Sequence, residues 1–203
     1  MARASLQSEG FVIANEEALA YLPRGYEILN YSYSIEGQTL STFHRDVTSS
    51  QYVYGTRHPT YTLIQYFYSG PHLSVCPQSH RQVPFLWSLP VLISGAEGQQ
   101  ILFNSDIVHA GAGTSTNRRV VQRKIAHRED IESGSLDHLL GVHSTKLGVS
   151  IVGGGGAATL VLRPLSWIFS FPINHIFTPL LQKPSGFPWL DNICRTWFGF
   201  YTA

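Results

Sequence analysis

His44 and Asp46 stand two apart at the end of Thr39-Leu40-Ser41-Thr42-Phe43-His44-Arg45-Asp46, a run that alternates as a strand does. In a strand, residues two apart point to the same face. A neutral imidazole and a carboxylate on one face are two of the three groups in a 2-His-1-carboxylate site. Such a site binds Fe(II) and leaves coordination positions open. The chain has nine histidines, so a lone His-x-Asp arises readily by chance. A structural hydrogen-bonded pair is the plain alternative. His109 offers a third group. It ends a predicted strand and is followed by Ala110-Gly111-Ala112-Gly113, small residues that leave room for a ligand. Arg118 and Arg119 open the next strand, and a planar guanidinium holds a carboxylate or phosphate bidentately. Strand neighbours face opposite ways, so one of the two arginines belongs to the surface. The set is then His44, Asp46 and His109 on a metal, with Arg118 or Arg119 on a dicarboxylate.

These groups need a rigid frame. Residues 26–35, 40–46, 60–68, 72–75, 83–93, 100–103, 107–113 and 118–126 read as short strands with turn signals between them. That spacing predicts a sandwich or barrel rather than an alternating α/β fold. The expected class is mainly β, a double-stranded β-helix (jelly-roll, cupin-like) barrel with a few flanking helices. Residues 11–22 read as a short outer helix capped by Asn15 and stopped by Pro23 and Gly25. At 203 residues the chain suits one domain plus a tail: residues 1–140, with a core over 26–130, and an apolar C-terminal extension over 141–203. Charged residues are 13% and aromatics 12%, which argues against disorder. A net charge of +1 gives no electrostatic case for nucleic acid. Two cysteines are too few for a disulfide framework, and residues 1–10 lack a signal-peptide apolar core. An intracellular, cytoplasmic protein is the expectation.

The order of motifs resembles the Fe(II)/2-oxoglutarate-dependent dioxygenases, and the phytanoyl-CoA dioxygenase-like branch most. Cys76-Pro77-Gln78-Ser79-His80 is similar to that branch's Pro-Gly-Ser-His, with Gln78 in place of the glycine. Phe103 to Gly111 matches Phe-x-x-x-x-x-His-x-Gly before the arginine strand. The resemblance covers roughly residues 26–130. It implies Fe(II) on His44, Asp46 and His109, with 2-oxoglutarate as co-substrate and O2 as oxidant. It places the 2-oxoglutarate-anchoring arginine on Arg118 or Arg119. Arg118 is preferred, because Gln122 then occupies the inward polar position beside the same carboxylate. The implied reaction is decarboxylation of 2-oxoglutarate to succinate and CO2, coupled to oxidation, most often hydroxylation, of an organic substrate that the residues do not specify.

Other residues read more plainly. His72, His80 and His127 are given no ligand role, and Arg57 and His58 read as surface loop. Tyr52, Tyr54, Tyr61 and Gln65 are candidates for the cavity wall or the core. Residues 147–181 carry a single charge, Arg163. Their two apolar runs are short or broken by Pro164, Pro172 and Pro179, whereas a membrane-spanning helix needs about 20 apolar residues. The extension is expected to fold back on the barrel. Peripheral association with a membrane surface through residues 147–203, anchored by Trp167, Trp189 and Trp197, is the alternative. A non-catalytic cupin-like binding module is the alternative to the enzyme.

Overall fold

The computed structural model describes residues 2–14, 17–37, 41–81, 88–112, 117–147, 163–169 and 186–192. Asn15, Thr39, Leu40, the run from Val83 to Trp87, the loop 114–116, the four-glycine run, Trp197 and Cys194 lie outside them. The protein is mainly β. Among the described residues the strands are β1 (Phe11–Ala14), β2 (Tyr26–Ile28), β3 (Tyr31–Glu36), β4 (Tyr61–Tyr66), β5 (Gly70–Val75), β6 (Val91–Gly95), β7 (Gln100–Asn104), β8 (His109–Gly111), β9 (Arg119–His127) and β10 (Val142–Leu147). The α-helices are short: α1 (Ala2–Glu9), α2 (Gln51–Tyr54) and α3 (Arg128–Glu132), with further helical turns over 163–168 and 188–192.

The larger sheet runs β1-β7-β4-β9-β3-β10, with β2 also on β9, and the smaller runs β6-β5-β8. Pairing is antiparallel except for β10, which lies parallel to β3. Among the described residues the two sheets remain separate and form no closed barrel. Period-2 alternation explains the layers. On β4, Ile64 and Tyr66 join Ile101, Phe103 and Val120 of the large sheet and Leu73, Val75 and Ile93 of the small one in the core between the sheets. Tyr61 and Leu63 face the other way. They pack with Leu102 and Ile125 under Leu6, Val12, Ala18, Tyr21 and Leu22 of the N-terminal segment. With both faces covered, β4 carries large apolar side chains on each, Tyr61 and Leu63 on one and Ile64 and Tyr66 on the other.

Residues 11–22, expected as one helix, instead give β1 and a 3-10 turn over Ala18–Tyr21. Phe11 to Ala14 pair with Phe103 to Gln100, so the free edge of β7 outweighs a weak helical pattern. The strand expected over Leu40–Asp46 is reduced, among its described residues, to one isolated bridge between His44 and His109. The C-terminal segment returns to the sheets. Arg163 Nη1 donates to Ser41 O (2.6 Å) and Gly111 O (2.8 Å), and its Nη2 donates to Ser74 Oγ (2.8 Å). The Phe43 amide donates to Ser166 Oγ at 2.8 Å, and Trp167 packs against Phe43, Cys76, Val108 and Ala110. Among the described residues no helix is long and apolar enough to cross a membrane.

Gln78, where the resembling motif has glycine, is the non-glycine residue with positive φ (65°) among those described. A left-handed L-residue costs about 1–2 kcal/mol. Part of that returns as glycine's larger unfolded-state entropy. Gln78→Gly should therefore stabilise the fold by about 0.5–1 kcal/mol and raise Tm by roughly 1–4 °C in a thermal melt. An unchanged or lowered Tm would mean that the Gln78 side chain compensates the backbone cost.

Candidate active site

The two histidines are joined through their backbones. His44 N donates to His109 O and His109 N to His44 O, each at 2.9 Å. This mutual pair sets the rings side by side, with centroids 4.5 Å apart. Each ring spends its Nδ1 hydrogen locally. His44 Nδ1 donates to Thr42 O (2.8 Å) and His109 Nδ1 to Ile107 O (3.0 Å). A carbonyl only accepts, so both neutral rings carry their lone pair on Nε2. Both Nε2 atoms face Asp46 Oδ1, His109 at 3.5 Å and His44 at 3.9 Å. Asp46 is held by its own amide on Ser105 O (2.9 Å), just where the chain turns into the 3-10 turn Val47–Ser49. One ligand atom from each of the three residues lies within 4.8 Å of the others, a spacing that could hold a metal ion.

The other carboxylate oxygen is occupied. Lys124 Nζ donates to Asp46 Oδ2 at 2.6 Å, Thr62 Oγ1 donates to it at 2.5 Å, and Lys124 also donates to Thr62 Oγ1 at 2.8 Å. Lys124 is 2% exposed. Burial alone would raise the Asp46 pKa, but the charge of Lys124, aided by His109 and His44, holds it well below the usual carboxylate range. Burial pushes His109 down to about 4 and also lowers His44, in both cases against the pull of Asp46. The site at neutral pH is a carboxylate facing two neutral imidazoles. Tyr31 is close enough for the charge of Asp46 to add to burial in raising its hydroxyl pKa. Phe103 walls the site, 4.6 Å from the His109 ring between centroids.

A further layer fixes the turn after Asp46. Asp106 accepts from Ser50 Oγ (2.5 Å) and the Gln51 amide (3.0 Å), and the guanidinium of Arg45 donates to its main-chain oxygen. Both Arg45 and Asp106 are buried.

Arg118, Gln122 and Lys124 fall on alternate positions of one interior face, with Val120 among them. Arg118 is 4% exposed, and its Nε and Nη1 have no hydrogen-bond partner among the described residues. Around it lie Tyr66, Tyr68 and His72, all buried. Among the described residues no hydrogen bond in the structure reaches Tyr66 Oη or His72 Nδ1, and the two rings stack at 4.1 Å. His72 reaches this interior because the β5–β6 register slips between Pro71 and Leu73. Unpaired buried donors are costly, and a guanidinium more so. The donor set fits an anion with two acceptor oxygens. Arg119 turns outward, where it meets Glu36 at 3.8 Å and lies over the Phe67 ring. Gln122 is half-buried between Tyr33 and Ile64.

Among the remaining candidates, Tyr61 packs against Tyr26 in the outer core, Tyr54 stacks on His138, and Tyr52 is exposed. Sequence reasoning missed Lys124, Thr62, Tyr31, Tyr66 and His72. The signal for Lys124 was available. The alternation that turns Gln122 inward turns Lys124 inward too.

No family profile matches the sequence, and no curated protein matches it. Among solved structures, the chain is similar to EvdMO1 at 12% identity and a TM-score of 0.47. The match covers 62% of this chain and 49% of that one, so this chain spans about half of EvdMO1. It is similar to the non-heme alpha ketoglutarate dependent epimerase SnoN from nogalamycin biosynthesis, at 12% identity and a TM-score of 0.45 over 62% and 81% of the two chains. It is also similar to HygX from Streptomyces hygroscopicus with iron bound, at 10% identity and a TM-score of 0.44 over 62% and 85%. At such identities no residue's role transfers from those proteins to this chain.

Proposed function

We propose that the chain is a non-haem Fe(II)- and 2-oxoglutarate-dependent oxygenase of the phytanoyl-CoA dioxygenase-like kind, oxidising an organic substrate, with hydroxylation as the outcome. The observation that carries this is the convergence of His44 Nε2, His109 Nε2 and Asp46 Oδ1. Both Nδ1 hydrogens are already spent on main-chain carbonyls. Fixing the tautomer through the other ring nitrogen is how metal-binding imidazoles are oriented. The scaffold would be a double-stranded β-helix over residues 1–140, with residues 141–203 as an extension fastened to it by β10 and the helical turn over 163–168.

Bound iron with 2-oxoglutarate would supply O2 activation coupled to decarboxylation. The rest falls to the chain. His44, Asp46 and His109 would hold the metal. Arg118 would hold the distal carboxylate of the co-substrate, with Gln122 on the same face, and the outward Arg119 would take no part. Lys124 and Thr62 hold Asp46 Oδ2, which leaves Oδ1 turned to the two imidazoles. Phe103, Ile107 and Val120 keep water from that interior. Lys124→Met should weaken metal affinity about 10–100-fold, the usual cost of losing a group that orients a ligand. Competition with a chromophoric chelator would measure it. Unchanged affinity would remove Lys124 from the site.

One observation favours a second reading, a non-catalytic binding module. Lys124 already neutralises Asp46 without a metal. Anaerobic titration with Fe(II) and 2-oxoglutarate separates the two. The oxygenase should develop a weak visible charge-transfer band and then form succinate in air. Well-folded protein showing neither would overturn the oxygenase reading.

A further inference from the structure

We propose a second metal site on the protein surface, formed by His58, His127 and Glu129, that takes a divalent transition ion of the zinc type. It does not depend on the iron reading, since it shares no residue with that site.

Ligand atoms of the three side chains lie within 4.8 Å of one another. His58 Nε2 is 3.2 Å from Glu129 Oε2, and the His58 and His127 rings lie against each other at a tilt, with centroids 3.8 Å apart and planes 32° off parallel. Two imidazole nitrogens and one carboxylate oxygen are a common donor set for zinc, which binds them at about 2.0–2.2 Å and takes water in the fourth position. Half-burial of both rings and the exposure of Glu129 leave an entry path for the ion.

The fold holds both imidazoles in place. Asp130 is 2% exposed, and its carboxylate accepts from the amides of Arg57 (2.7 Å) and His58 (3.0 Å). The backbone that carries His58 is thus clamped to the start of α3. His127 is fixed from another side. Its ring meets Tyr26 edge-on at 5.3 Å. Gly25 has φ +96° and admits the ring, because a Cβ there would lie 2.4 Å from His127 Nε2. With Nε2 packed on Gly25, Nδ1 is the nitrogen turned toward Glu129. It accepts only a long bond of 3.4 Å from the Glu129 amide, which a metal bond readily replaces. A simple His58–Glu129 ion pair needs neither the second ring nor this scaffolding. Arg57 Nη1, 3.8 Å from Glu129 Oε2, is the competing cation, and its side chain is 82% exposed and free to swing away.

The bound ion would tie the segment that follows Asp46 to the end of β9, which carries Lys124. Zn2+ alone is the probe, added to the metal-free full chain and counted by equilibrium dialysis. Wild type should bind one equivalent more than His58→Gln or Glu129→Gln, and Glu129→Gln, at an exposed position, should leave the melting curve of the metal-free protein in place. The Asp46→Ala/Lys124→Met chain should retain this equivalent, which separates it from any ion at the buried site. Zn2+ should raise Tm in that double variant, and the shift should vanish when His58→Gln is added. If His58→Gln and Glu129→Gln bind as many ions as wild type with unchanged affinity, the site does not exist and any surface zinc is bound elsewhere.

Discussion

Asp46→Ala should abolish iron binding and also cost about 3–5 kcal/mol of stability, because it leaves Lys124 as a buried cation with no counter-charge. The Lys124 ammonium sits 2.6 Å from the carboxylate and is 2% exposed, so the lost partner is its only counter-charge at hydrogen-bond distance among the described residues. Thr62 Oγ1, its other acceptor, is neutral. The two losses can be separated. In Asp46→Ala/Lys124→Met the charge is gone and an apolar chain of similar length fills the space. Urea melts should then recover most of the stability, while iron remains absent after desalting. If the double variant is no more stable than Asp46→Ala, the ion pair does not hold this part of the fold.

Arg118→Ala should raise the KM for 2-oxoglutarate about 100-fold or more and leave iron binding nearly intact. Truncating one partner of a buried charge pair costs about 2–5 kcal/mol. The guanidinium is well placed for such a role, since Nε and Nη1 are buried and find no acceptor among the described residues. Arg119→Ala should change nothing measurable, because Arg119 lies outside against Glu36 and Phe67. Initial rates of succinate formation over a range of 2-oxoglutarate concentrations provide the test. An equal effect from both alanines, or none from Arg118→Ala, would mean that the co-substrate is held elsewhere.

His44, Asp46 and His109 could be picked out of the sequence by residue type and spacing, and the structure brings their side chains together although the strand expected over Leu40–Asp46 is only a bridge at His44. Arg118 could be separated from Arg119 only through alternation on a strand whose register was not fixed beforehand. Lys124 escaped because a lysine is almost never fully buried, so its type argued for the surface while its position argued for the interior. Phe11 to Ala14 escaped for another reason. A short apolar run has no decisive period, and the neighbouring edge of β7, remote in sequence, settled it. His72 depended on a register slip that no local pattern announces. Arg163 was legible as an isolated charge in an apolar stretch, but its acceptors on Ser41, Gly111 and Ser74 are visible only once the strands are assembled.

Among the described residues the mutual main-chain pair between His44 and His109 is an isolated bridge, with Ser41 N donating to Gly111 O (3.3 Å) beyond it. Its two hydrogen bonds can therefore open without unzipping a sheet, and amide exchange at these positions reports a local event rather than global unfolding. An ion shared by the two side chains would close that opening like a clasp. Closure of this one pair and assembly of the centre would then be a single thermodynamic step, on a segment that Arg163, Ser166 and Lys124 already hold at Ser41, Phe43 and Asp46.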